Sequence, residues 1–195
     1  MSRLGRRQGV DLIARVSGER ALPAEITTTL VPVLSGLSTH YQTRSEFAAL
    51  RQTALDLLRL GQQLNDTASE LVGNRSMALC LFHLGEFRLA REHFQRVLSI
   101  YIPETHHLLT SIAAFDMRAV ALSYLALDLL ILGYPEQGRQ WNEQALIWNK
   151  NFRHPHTLAF SLHYAAIFGL LGRAEPLAEE LGRVNTIQRR GFGIG

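Results

Sequence analysis

The sequence predicts an all-α protein built from about four stacked helix hairpins, and three observations carry that prediction. Glycines, prolines and small polar clusters cut the chain into blocks whose apolar residues recur every three or four positions, the period of one helix face. No window shows the strict apolar/polar alternation of a half-buried strand. A register also repeats. Ser45, Gly85, Gly133 and Gly172 stand at intervals of 40, 48 and 39 residues, and seven positions before each lies a small residue: Ser38, Ala78, Ala126 and Ala165.

Taken in order, the helices are expected near 6–17, 23–42, 45–64, 67–84, 86–101, 108–132, 135–150, 156–171 and 174–189. The block 23–42 opens the register with Leu37, Ser38 and Tyr41, and 45–64 answers with Phe47, Leu50, Ala54, Leu57 and Leu58 on one face. The second pair has Met77, Ala78 and Leu81, then Phe87, Ala90, Phe94, Val97 and Leu98. The third has Leu125, Ala126 and Leu129, followed by Gly138, Asn142, Ala145 and Leu146. The fourth has Tyr164, Ala165 and Phe168, entered at Pro155, then Leu177, Leu181 and Val184. The 48-residue interval places its excess around 102–115.

Composition narrows the function classes. The chain has 195 residues, 47% of them hydrophobic, enough for a sizeable core, and the 19% of charged residues is too low for a disordered chain. Lys and Arg exceed Asp and Glu by three, largely through Arg3, Arg6, Arg7, Arg15 and Arg20, but that end has no aromatic residue and no sustained basic run, so nucleic acid is not the expected partner. Residues 1–20 lack the apolar run of a signal peptide, and a cytoplasmic location is expected. The most apolar window, 119–133, is shorter than the roughly 20 residues that span a bilayer, and contains Asp128; it reads as a buried helix, with no membrane contact expected. Cys80 is the single cysteine, which excludes an internal disulfide.

The register resembles the tetratricopeptide repeat, in which a large and a small residue mark the first helix of a hairpin and Ala and Phe the second. That resemblance implies a right-handed superhelix with a concave groove lined by the first helices, which would take a protein or peptide partner. Residues 29–190 would form the repeat domain and 191–195 a tail. His40, Asn74, His83 and His163, polar residues of the first helices, are the expected groove contacts. No polar capping helix follows Arg190, so an uncapped repeat end would allow a homodimer.

A more specific resemblance rests on LGEFRLAREHFQRVLSIYIPETHH at 84–107, AVALSYLALDLLILGYPEQG at 119–138 and HPHTLAFSLHYAAIFGLLGR at 154–173. These segments are similar to the carboxy-terminal repeats of bacterial signalling proteins that join an adenylate/guanylate cyclase domain to an AAA-type ATPase module. RLGRRQGVDLIARVSGERALPAEI at 3–26 resembles the end of that ATPase module, so residues 1–28 would be its remnant, with TTTLVPVLSGLSTHY following directly at 27–41. The resemblance implies a signalling context and, for Asp116, a role as N-cap of the helix that follows. It transfers no activity, since the chain holds no GxxxxGK[ST] and no cyclase domain. The expectation is a non-catalytic scaffold without cofactor; the alternative is a truncated piece of such a cyclase–ATPase, lacking both active sites.

No other motif implies catalysis. His106–His107 and His154–Pro155–His156 lack the i, i+4 spacing that puts two imidazoles on one ion, and both pairs read as exposed loop residues, so no metal is expected. Cys80 reads as a buried, inert thiol, and GFGIG at 191–195 as a frayed tail. Asp128 is expected to face outwards or to pair with an arginine. Trp141 and Trp148, seven apart on one face, read as core. In LFHLGEFRLAREHFQRVL at 81–98, Gly85 makes a turn, Glu92 and Arg96 form an i, i+4 pair, and His93 lies at the edge of the buried face.

Overall fold

The structure is a computed structural model that describes residues 24–110, 115–152 and 154–172, with side chains from Leu30 onward. The helices expected at 6–17 and 174–189, and the tail at 191–195, lie outside the described residues. Among the described residues every regular element is helical. In order they are α1 (Ala24–Thr43), α2 (Phe47–Leu64), α3 (Thr67–His83), α4 (Phe87–Ile100), the single turn α5 (Pro103–His106) with a 3₁₀ turn at His107–Leu109, α6 (Met117–Ile131), α7 (Pro135–Phe152) and α8 (155–172). The expected domain edge at 28/29 falls inside α1. The block expected at 108–132 is two pieces, because Asp116 starts α6 afresh: its carboxylate accepts the Ala119 N–H at 2.9 Å.

Three corners of the array are built alike. The N–H groups of Glu46, Glu86 and Tyr134 reach back to the carbonyls of Tyr41, Leu81 and Leu129 at 2.9, 2.9 and 2.8 Å. Those of Ser45, Gly85 and Gly133 bond Gln42, Phe82 and Leu130 at 3.0, 3.0 and 3.1 Å. This is the Schellman arrangement, which satisfies carbonyls that a helix end would otherwise orphan and needs a left-handed residue at its pivot. Ser45, Gly85 and Gly133 have φ of 58°, 79° and 85°. The carbonyls of Glu46, Glu86 and Tyr134 then accept the first bond of the next helix, from Leu50, Ala90 and Gly138. One residue thus closes one helix and opens the next, which forces the two to lie side by side. Gly172, the fourth position of the register, is still helical where the described residues end.

The faces follow from the corners. Ser38, Ala78 and Ala126 are buried, as are Leu37, Met77 and Leu125 before them and Tyr41, Leu81 and Leu129 after them. At offsets of five, nine and twelve from the pivot, the second helices bury Leu50, Ala54 and Leu57, then Ala90, Phe94 and Val97; in α7 the same offsets hold Gly138, the half-buried Asn142 and Ala145. A Cβ on Gly138 would stand 2.7 Å from the Ala126 carbonyl, so the small residue of α6 and the glycine of α7 are what let these helices touch. In α8 Phe168 is buried while Tyr164 and Ala165 are half-buried.

α1 packs on α2, α2 on α3, α3 on α4, α4 on α6 and α6 on α7, and α3 also touches α1 and α6. Consequently α3 and α6 are central: every residue is buried from Leu71 to Leu81 and from Ala119 to Leu130. The middles of α3 and α6 are thus covered, and exposure on these two helices is confined to residues near their ends.

Candidate functional site

Aromatic rings gather beside these two helices, from Phe82 at the end of α3 to Tyr124 in the middle of α6. Phe82 on α3 meets Phe87 at 5.4 Å and Tyr124 on α6 at 5.0 Å, centroid to centroid. Tyr124 also lies 5.5 Å from Phe94, 4.6 Å from Tyr164 and 6.2 Å from Phe160, and its hydroxyl is hydrogen-bonded to that of Tyr164. His83 flanks the cluster, 6.1 Å from Tyr124 and stacked 5.7 Å from Phe47; His163 flanks it on α8, 5.4 Å from Tyr164. Two of the four expected contact residues, His83 and His163, are therefore exposed and flank one aromatic cluster, in which Tyr124 and Phe94 are buried and Phe82, Phe160 and Tyr164 half-buried. His40 is half-buried against Tyr41, with its Nε2 buried and without a partner.

Asn74 is the correction. Its Nδ2 donates to the Glu70 carbonyl at 2.8 Å, and its Oδ1 meets His93 Nδ1 at 2.9 Å, so it joins α3 to α4 inside the protein rather than facing a partner. Burial lowers the pKa of His93, which is neutral in this position. The expected Glu92–Arg96 pair does not form: Arg96 instead grips Glu70 through Nε and a terminal nitrogen, at 2.9 and 2.6 Å, again between α4 and α3.

A second polar centre holds the later helices together. The Asp116 carboxylate accepts from the Tyr101 hydroxyl, from the Trp148 indole at 2.8 Å and from the Ala119 N–H, while its own N–H donates to Thr157 Oγ1 at 3.0 Å. Thr157 is in turn bonded to His154 at 2.8 Å, and Arg118 lies 4.8 Å above the Trp148 ring. The N-cap role that the resemblance implies for Asp116 holds. Its links to Tyr101 and Trp148 join residues 15 and 32 positions away, which no local pattern announces. Trp141 and Trp148 pack half-buried against the core.

His106 is buried, not in an exposed loop. Its Nδ1 accepts the Ile102 N–H at 2.9 Å, which leaves Nε2 to donate to Thr67 Oγ1 at 3.2 Å, and burial lowers its pKa. His107 and His156 are exposed. Among the described residues no three His, Cys, Asp or Glu side chains gather as metal ligands would. Cys80 is fully buried and burial raises its pKa, the opposite of a nucleophile.

Two charges remain. Asp128 does not face outwards: it is fully buried on α6, both oxygens lack a hydrogen-bond partner, and burial pushes its pKa up to about 7 against a smaller pull from Arg91. Arg91 lies 6.0 Å over the Tyr134 ring and lines a cleft of about 380 Å³ with Arg88, Glu92, Gln95 and Leu132. Arg75, in the centre of α3, is 3% exposed with no hydrogen-bond partner for Nε, and burial lowers its pKa to about 10. Sequence alone marked neither as buried, because periodicity cannot tell a helix packed on one side from one packed all round. No helix among the described residues is long and apolar enough to cross a membrane. No family model, curated protein or solved structure matches this chain.

Proposed function

We propose that the chain is a non-catalytic scaffold of the tetratricopeptide type, a right-handed stack of helix hairpins that binds a protein or peptide partner in a signalling context. The observation that carries this reading is the recurrence of one corner, with the same two hydrogen bonds and the same left-handed pivot, at Ser45, Gly85 and Gly133. A corner repeated at one register is what a stacked-repeat protein requires, and such proteins act by presenting surface. The docking site is formed by the exposed His83 and His163 with the half-buried Phe82, Phe160 and Tyr164 of the same cluster, since rigid rings with polar tips give contact area at little cost in side-chain freedom. The exposed Leu158, Leu162, Leu170 and Leu171 of α8 support self-association through that helix.

The test is selection of peptides from a random library on the purified chain, followed by binding to the variant His83→Glu/His163→Glu. Selected peptides are expected to bind the parent and to lose at least tenfold in affinity for the variant, whose thermal melt stays close to the parent's. Peptides that bind both equally would move the site elsewhere, and turnover of ATP in cyclase or ATPase assays would overturn the non-catalytic reading.

A further inference from the structure

Between the start of α6 and the second half of α7 lies a cleft of about 170 Å³, lined by Arg118, Leu122, Gln144, Ile147, Trp148 and Asn151. One side of it is cationic. Arg118 enters no ion pair among the described residues, and its Nε is buried with no hydrogen-bond partner. The nearest carboxylate along the chain, Asp116, is committed to the Tyr101 hydroxyl, the Trp148 indole and the Ala119 N–H. In the larger cleft beside α4 two arginines share the lining with Glu92, whereas no acidic side chain lines this one.

The guanidinium is also held in place. It lies 4.8 Å over the Trp148 ring, and that ring is fixed in turn by its indole bond to Asp116 and by an edge contact with Tyr101 at 5.9 Å. A guanidinium resting on an aromatic face keeps its N–H groups in its own plane, where a planar acceptor can meet them edge-on. Gln144 and Asn151, both exposed, bring amide N–H donors to the rim. Leu122 and Ile147, the latter 60% exposed, supply an apolar wall.

We propose that this cleft binds a carboxylate carried by a partner polypeptide, an acidic side chain or a chain end. Arg118 pairs with the carboxylate, Gln144 and Asn151 donate to it, and an adjoining apolar side chain rests on Ile147. Arginine and carboxylate match edge to edge, the geometry of the strongest ion pairs in proteins. Volume sets the size of the occupant: pockets for whole small molecules start at about 300 Å³, so 170 Å³ takes one side chain while the rest of the peptide stays outside. The proposal rests on the scaffold reading for the partner's being a polypeptide, but uses none of the residues around His83 and His163.

The experiment follows the two indole N–H signals, from Trp141 and Trp148, of the ¹⁵N-labelled full chain, with Trp148→Phe to assign them. Three peptides are titrated: acetyl-Leu-Glu-amide, with a side-chain carboxylate; acetyl-Leu-Leu, with a free chain end; and acetyl-Leu-Gln-amide, with neither. A saturable shift of the Trp148 signal is expected with one or both acids, the responding one naming the source, and at least tenfold weaker binding with the glutamine peptide. Arg118→Gln should abolish the shift. Gln144→Glu and Asn151→Asp, at exposed positions, hand Arg118 a carboxylate of the protein's own and should weaken binding at least tenfold with Tm unchanged; they decide the matter if Arg118→Gln lowers Tm. The site is overturned by an equal response to the glutamine peptide, by a response that survives these variants, or by no saturable shift in the parent. His83→Glu/His163→Glu leaves this titration untouched, so failure here and failure of the scaffold reading are told apart.

Discussion

Asp116 accepts three hydrogen bonds from three parts of the chain, and a carboxylate so placed cannot be shortened without leaving donors buried and unmet. Asp116→Ala removes the cap of α6 and strands the Tyr101 hydroxyl and the Trp148 indole; a loss of about 2–4 kcal/mol is expected by denaturant titration. Asp128 is the opposite case, a carboxylate with no donor. Its folded pKa is raised to about 7, above an unfolded value of about 3.9, so the folded state holds a proton that the unfolded state has lost. Stability from this group is therefore complete below about pH 4 and is lost as pH rises through about 7. Asp128→Asn should melt higher than the parent at pH 8 and approach it at pH 5; equal differences at both would show that the carboxylate does not titrate in this range.

Between elements the decisive residues are the smallest. Gly138→Ala would drive a methyl to 2.7 Å from the Ala126 carbonyl and 2.9 Å from Phe168, a contact with backbone that cannot swing aside. The expected loss is about 1–3 kcal/mol, read as a lowered Tm. Gly85→Ala meets open space but must hold a positive φ, for about 1–2 kcal/mol by a different cause. Pairing these variants compares crowding against a backbone carbonyl with strain at a positive φ. At this scale most of the fold was legible, since the pivots and the small residues announce themselves by repeating. His106 was misread because contacts with Thr67 and Tyr101 bury it on an otherwise exposed turn; Asn74 and Asp128 were misread for one shared reason. A polar residue in a helix looks exposed until the helix proves to be packed on every side, as α3 and α6 are, and that depends on neighbours distant in sequence. The expected surface was half legible: His83 sits beside the Gly85 corner, where exposure follows from local geometry, whereas His163 is exposed in the middle of α8.

For the molecule as a whole, acid and base pull against each other. His93 and His106 have folded pKa values lowered by burial, so they are stabilising above about pH 6.5 and that contribution is lost as pH falls below it. Asp128 loses its contribution in the other direction. The stability of the parent should pass through a maximum between about pH 5 and 7, with His106→Gln flattening the acid side and Asp128→Asn the alkaline side in Tm-against-pH curves. A profile that falls on one side only would show that one of these groups is not shielded as the packing requires.

The doubled use of Glu46, Glu86 and Tyr134, each ending one helix while starting the next, also governs how such a chain can lengthen. A residue inserted at any of these corners would separate two roles held by one amino acid and turn the following helix about its axis by roughly 100°. The described residues between Tyr101 and Asp116 carry no such double duty, and it is in this stretch that the spacing grows from 40 to 48 residues. Over evolutionary time the corners are closed to new sequence, and 102–115 is where this chain can accept it.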